Sequence, residues 1–114
     1  MKVNQGDVIE VNVKLPEGDF KPHPCIVISN NDINHNENMF VCVMISSTST
    51  QDDYTYNLKP EMFLKELKKK SQIRTQIVNS FGYNDIIKYN ISRIKQNYLE
   101  KIIDKIYQDV LNVE

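Results

Sequence analysis

Surplus charge is nearly absent from this chain: fourteen Lys and Arg face fifteen Asp and Glu, leaving a formal net charge of −1. A nucleic-acid partner therefore has to be held by a local patch, because global charge supplies no attraction. Lys65 to Lys70, "KELKKK", is the concentrated basic run, and it reads first as solvated surface. Cysteine is scarce too. Cys25 and Cys42 sit singly in apolar runs, without CxxC spacing and without a nearby His or Cys at ligand spacing. That argues against a metal site and makes them small core residues of a reducing compartment. No segment approaches the ~20 apolar residues that a membrane span needs. The opening "MKVNQGDVIEV" also lacks the apolar stretch of a secretory signal, so the expected location is the cytoplasm. Repeats, low-complexity tracts and long linkers are missing as well. Residues 1–114 read as one domain with a modest core.

What is present is mostly strand. In "DVIEVNVKL", Ile9, Val11, Val13 and Leu15 alternate with Glu10, Asn12 and Lys14, the period of a half-buried strand. "CIVIS" and "MFVCVMI" are short apolar runs rich in β-branched residues and read as buried strands. "NNDINHNEN" between them reads as a polar turn, with His35 a solvated loop residue. "YTYNL" and "SQIRTQIV" supply further strands, and residues 59–70 read as an extended connection in preference to a short helix begun at Pro60. From Ser92 to about Leu111, apolar residues recur at helical spacing, with Ser92 as a plausible N-cap. Five or so antiparallel strands and a C-terminal amphipathic helix define an α+β fold, a small and strongly curled β-barrel.

One loop stands out. "PEGDFKPHP" places His23, one of only two histidines, between Pro22 and Pro24. Proline fixes its own φ and pushes the preceding residue toward extended backbone, so His23 sits on a stiff lead-in. Such rigidity suits a side chain that must be aimed, and it suits the start of a plain strand equally well.

Taken in order, "QGDVIEVNV", "HPCIVISNNDIN", "VCVMISSTS" and "SQIRTQIVNSF" resemble the corresponding strands of the MazF/PemK family of bacterial toxin–antitoxin toxins. The resemblance implies an SH3-like barrel, a homodimer, and metal-free cleavage of single-stranded RNA without a cofactor. It also implies a cognate acidic antitoxin lying across the active groove. Three departures accompany it. His23 stands where most relatives carry an arginine credited with catalysis. Ser71 replaces an acidic residue before the Gln-Ile-Arg run, and Val11 or Val13 fills the place of an aromatic in the first strand.

Cleavage through the ribose 2′-OH needs a base for its proton, an acid for the departing oxygen and donors for the phosphorane charge. Histidine suits proton transfer near neutrality better than arginine does. The resemblance thus assigns catalysis to His23, Ser46 and Arg74, the last as a bidentate phosphate clamp. It assigns RNA binding to Lys21, Ser47 and Gln72. Tyr54 and Tyr56 read either as base-stacking groups or as cross-strand packing. His23 itself has two readings: a proton-transfer group, or the mark of an enzyme that lost its arginine and now only binds RNA or protein.

Overall fold

The structure, a computed structural model, describes all 114 residues. Six strands form one antiparallel sheet: β1 (Asp7–Lys14), β2 (Phe20–Val27), β3 (Phe40–Ser46), β4 (Thr55–Leu58), β5 (Ser71–Phe81) and β6 (Ile86–Arg93). Their spatial order is β4-β5-β3-β2-β1-β6. Helix α1 (Asn31–Asn36) joins β2 to β3, and α2 (Gln96–Ile106) follows β6 and runs on into a π turn over Tyr107–Leu111.

The sheet curls until its two ends meet. Beyond β4, Phe63 bridges Ile94, which follows β6. Leu64 N donates to Arg93 O at 2.9 Å, and Lys95 N donates to Met62 O at 2.8 Å. This closing contact ties the segment after β4 to the end of β6 and shortens the edge that an open sheet would offer to other chains.

Alternation along the central strands explains their continuous apolar runs, since both faces are covered. Val8, Ile26, Val43, Ile45 and Ile73 point to one face, where α2 lays Leu99, Ile102 and Ile106 on them. Ile9, Val11, Cys25, Val27, Cys42 and Met44 point to the other, packed around Phe40. Phe40 in turn meets Tyr83 edge-on at 5.3 Å between ring centroids. Cys25 and Cys42 are both buried and unbridged, as their isolated positions imply.

Four local expectations need correction. The "KPHP" stretch is not loop: β2 begins at Phe20, and His23 is registered against Val11 of β1. The prolines are tolerated because β3 takes up β2 only from Cys25 onward, leaving Pro22 and Pro24 with one partner strand. The "NNDINHNEN" turn contains α1, capped by Asn30 Oδ1 accepting from Ile33 N at 3.0 Å. His35 is nonetheless exposed, with its Nε2 2.8 Å from Asn4 Oδ1. The C-terminal helix begins at Gln96, and Ser92 belongs to β6, the strand absent from the count of five. Residues 91–94 fit either periodicity, and pairing of Val8 with Ser92 across β1 and β6 decides for strand. Asn90, at φ 56°, takes up the register shift in that pair, a left-handed position that asparagine tolerates. Finally, residues 59–70 make a 3₁₀ turn at Pro60–Met62 and then the extended closing contact.

Candidate active site

The β2–β3 ladder stops at Cys25↔Met44. The next residue of β2, Pro24, has no N–H to give, so pairing ends there. Continued in the same register, the strands would set His23 level with Ser46. Instead they part, and the gap becomes a cleft.

On the far side, β5 is irregular. Val43 pairs with Val78 and Ile45 with Ile73, so residues 74–77 bulge out opposite Met44. Bulges of this kind re-aim side chains next to functional sites. The resulting cleft, of about 230 Å³, is lined by Val13, His23, Met44, Ser46, Arg74, Ile77 and Asn79. Three strands thus bring His23, Ser46 and Arg74 to one place.

His23 is half-buried, and its Nδ1 lies 3.1 Å from Pro24 O. A carbonyl can only accept, so the neutral ring carries its proton on Nδ1 and leaves Nε2 as a free acceptor. Ser46 Oγ accepts from Thr48 N at 3.1 Å and lies 2.9 Å from Thr48 Oγ1. It therefore shapes the turn into the β3–β4 loop while lining the cleft. Arg74 Nη2 donates to Asp52 Oδ2 at 2.7 Å, whereas its Nη1 is buried without a hydrogen-bond partner. That bond from Arg74, helped by Tyr54 N and Thr55 Oγ1, holds the Asp52 carboxyl below the usual carboxylate range.

The residues expected to bind RNA are placed differently. Lys21 is exposed and shares a strand face with His23, two residues away along β2. Ser47 is exposed beyond the end of β3 and does not line the cleft. Gln72 is buried at 2% exposure and points into the protein. With its amide turned to face acceptors, its nitrogen donates to Thr48 O at 3.0 Å and Thr50 O at 2.9 Å. Gln72 anchors the β3–β4 loop and, as folded, is not presented to a ligand. Tyr56 packs on the core, while Tyr54 remains exposed.

Sequence reasoning missed Asp52, Asn79, Met44 and Ile77. The acidic pair in "TQDD" was a signal for Asp52, but nothing local reveals the β5 bulge that gathers the others. A larger cavity of about 390 Å³, lined by Lys59, Lys68, Lys69, Lys70, Leu58 and Phe63 among others, accounts for part of the basic run. It holds no histidine and none of the three converging residues.

A curled antiparallel barrel with a histidine, a hydroxyl and an arginine in one cleft defines a small barrel protein equipped to handle an anionic group. The sequence matches the PemK-like, MazF-like toxins of type II toxin–antitoxin systems over residues 4–109. The chain belongs to that family. A search of curated protein sequences returns no match. Among solved structures, the fold is similar to an endoribonuclease in complex with its cognate antitoxin from a Mycobacterial species, with a TM-score of 0.79, 13% identity and 98% coverage of each chain. It is likewise similar to MazE–MazF from Deinococcus radiodurans, with a TM-score of 0.74, 11% identity and coverage of 100% and 99%. MazF alone from that organism gives 0.76 at 11% identity, with coverage of 95% and 96%. No helix is long and apolar enough to cross a membrane.

Proposed function

We propose that this toxin is a metal-independent endoribonuclease of single-stranded RNA, acting in the cytoplasm as a homodimer and restrained by a cognate acidic antitoxin. The observation that carries the reading is the convergence of His23, Ser46 and Arg74 on one cleft. The antitoxin partner follows from family membership and from similar structures that contain one.

In this reading Nε2 of His23 accepts the ribose 2′-OH proton. The 2′-oxygen attacks phosphorus, the P–O5′ bond breaks, and the departing oxygen takes a proton from solvent in the open cleft. The products are a 2′,3′-cyclic phosphate and a 5′-OH. Arg74 and Ser46 donate hydrogen bonds to the phosphorane oxygens, where charge grows in the transition state. Lys21, on the same face of β2, adds positive charge along the path of the strand.

The test is incubation of purified protein with mixed-sequence single-stranded RNA in EDTA. Fragments ending in cyclic phosphate are expected. Intact RNA, together with binding of RNA by the same protein, would favour the rival reading of a non-catalytic module, which the histidine in place of the family's arginine supports.

A further inference from the structure

In the resting structure Nη2 of Arg74 is not free to take a phosphate, because the Asp52 carboxylate already holds it. We propose that Asp52 occupies the phosphate position of Arg74 in the unliganded protein, so that an RNA phosphate must displace the Asp52 carboxylate to reach Nη2 of Arg74. This rests on the RNA-cleaving reading and assigns a role to a residue outside the site's expected members.

A carboxylate and a phosphate present the same pair of anionic oxygens to a guanidinium fork. Asp52 satisfies only one arm of the fork, since a single contact, Nη2 to Oδ2 at 2.7 Å, is made. The other arm, Nη1, is buried without a partner, a costly condition for a charged donor. An RNA phosphodiester carries the same single negative charge as the carboxylate, so it competes with Asp52 for the Nη2 arm on equal terms.

The segment carrying Asp52 also lies open to solvent. Residues 47–54 are all exposed. Several of their hydrogen bonds are internal, such as Thr55 Oγ1 to Asp52 Oδ1 at 3.2 Å and Thr55 Oγ1 to Thr50 O at 3.1 Å. The anchors lie to either side of Asp52: Gln72 on the carbonyls of Thr48 and Thr50, and Lys105 Nζ on Asp53 O at 2.6 Å. Between them the Asp52 side chain, 41% exposed, gives up its Oδ1 contacts with Tyr54 N at 3.0 Å and Thr55 Oγ1 at 3.2 Å when it turns away, while the Gln72 and Lys105 anchors stay in place. The pair is open to solvent on its Asp52 side, where screening weakens it, so an RNA making several contacts outcompetes it.

The test uses a mixed-sequence 2′-O-methyl oligonucleotide, which lacks the internal nucleophile and cannot be cleaved, with binding followed by fluorescence anisotropy. Asp52→Asn is compared with Asp53→Asn, which removes the same charge from the same loop without touching Arg74. Asp52→Asn should bind roughly two- to fivefold tighter than wild type, and Asp53→Asn by clearly less. In an Arg74→Gln background the gain from Asp52→Asn should vanish. Equal effects of the two Asn variants, weaker binding by Asp52→Asn, or a gain that survives Arg74→Gln would each overturn the proposal while leaving RNA binding intact. Absence of binding by every variant would overturn it together with the RNA reading.

Discussion

Thr75 Oγ1 donates a hydrogen bond to Asp109 Oδ2 at 2.8 Å, fastening the bulged middle of β5 to the end of the C-terminal helix. Lys105, one turn back on α2, holds the same Asp109 oxygen at 2.9 Å and reaches Asp53 O in the β3–β4 loop. Arg74, next to Thr75, is paired to Asp52 in that loop. The helix end, the bulge and the loop are thus one connected unit around the cleft, with Thr75 completely buried at its centre.

The first prediction concerns acid stability. Hydrogen bonds from Lys105 and Thr75 hold the Asp109 carboxyl below its ordinary range. A carboxylate whose folded value is lowered stabilises the fold fully above its unfolded value, and that contribution is lost as pH falls through the folded value. Asp109→Asn should therefore lower Tm by a few degrees at neutral pH. The gap from wild type should shrink once the pH drops below the ordinary aspartate value of about 3.9. Thermal unfolding across a pH series checks this, and a gap that widens in acid would contradict it.

A second prediction addresses proton transfer. If Nε2 of His23 takes the 2′-OH proton, the cleavage rate should depend on pH, because only the unprotonated ring can act as the base. His23→Ala should lower the rate by roughly 10²–10⁴-fold and flatten that profile, with little change in RNA affinity. Ser46→Ala should reduce the rate without moving the inflection, since a hydroxyl donor does not titrate there. An unaltered profile in His23→Ala would remove the histidine from the mechanism.

Gln72 offers a third. Replacing it by Ala leaves the carbonyls of Thr48 and Thr50 without their buried donor and opens a small void, at a cost of about 1–3 kcal/mol. Denaturant midpoints should fall accordingly. Hydrogen exchange should speed up in residues 47–54 more than in β1 or β2. Uniform acceleration across the sheet would show that Gln72 is merely a core residue and not the loop's anchor.

Cysteine labelling supplies the fourth. Hydrogen bonding with Cys25, added to burial, pushes the Cys42 thiol above its ordinary range, so almost no thiolate exists at neutral pH. Both thiols should resist iodoacetamide in the native protein and react once denaturant unfolds it, as mass spectrometry would show. Rapid native labelling of either would mean that the β2–β3 core opens far more readily than its packing implies.

Local pattern made the central strands legible because their residue types leave few alternatives. "CIVI" and "MFVCVMI" are too short and too β-branched to be helices, and a run covered on both faces must be apolar throughout. The amphipathic stretch through Leu99, Ile102 and Ile106 was legible for the same reason, although its beginning was not. Residues 91–94 satisfy both periods, and only the partner strand β1 settles which one applies. The ordered motifs carried the family because each records a side chain whose place on a strand face is set by its own sequence position.

By itself, then, the sequence determined the central apolar strands, the apolar helix face and the resemblance that singled out His23, Ser46 and Arg74. Those properties depend on neighbours a few residues away. Tertiary structure alone decided that Pro24 ends a ladder and opens a cleft, that residues 74–77 bulge toward it, and that Gln72 turns inward. It alone decided that Asp52 meets Arg74, since residues 22 positions apart meet only when β4 and β5 pair. Register between strands is a property of two segments at once, and no single stretch of chain encodes it.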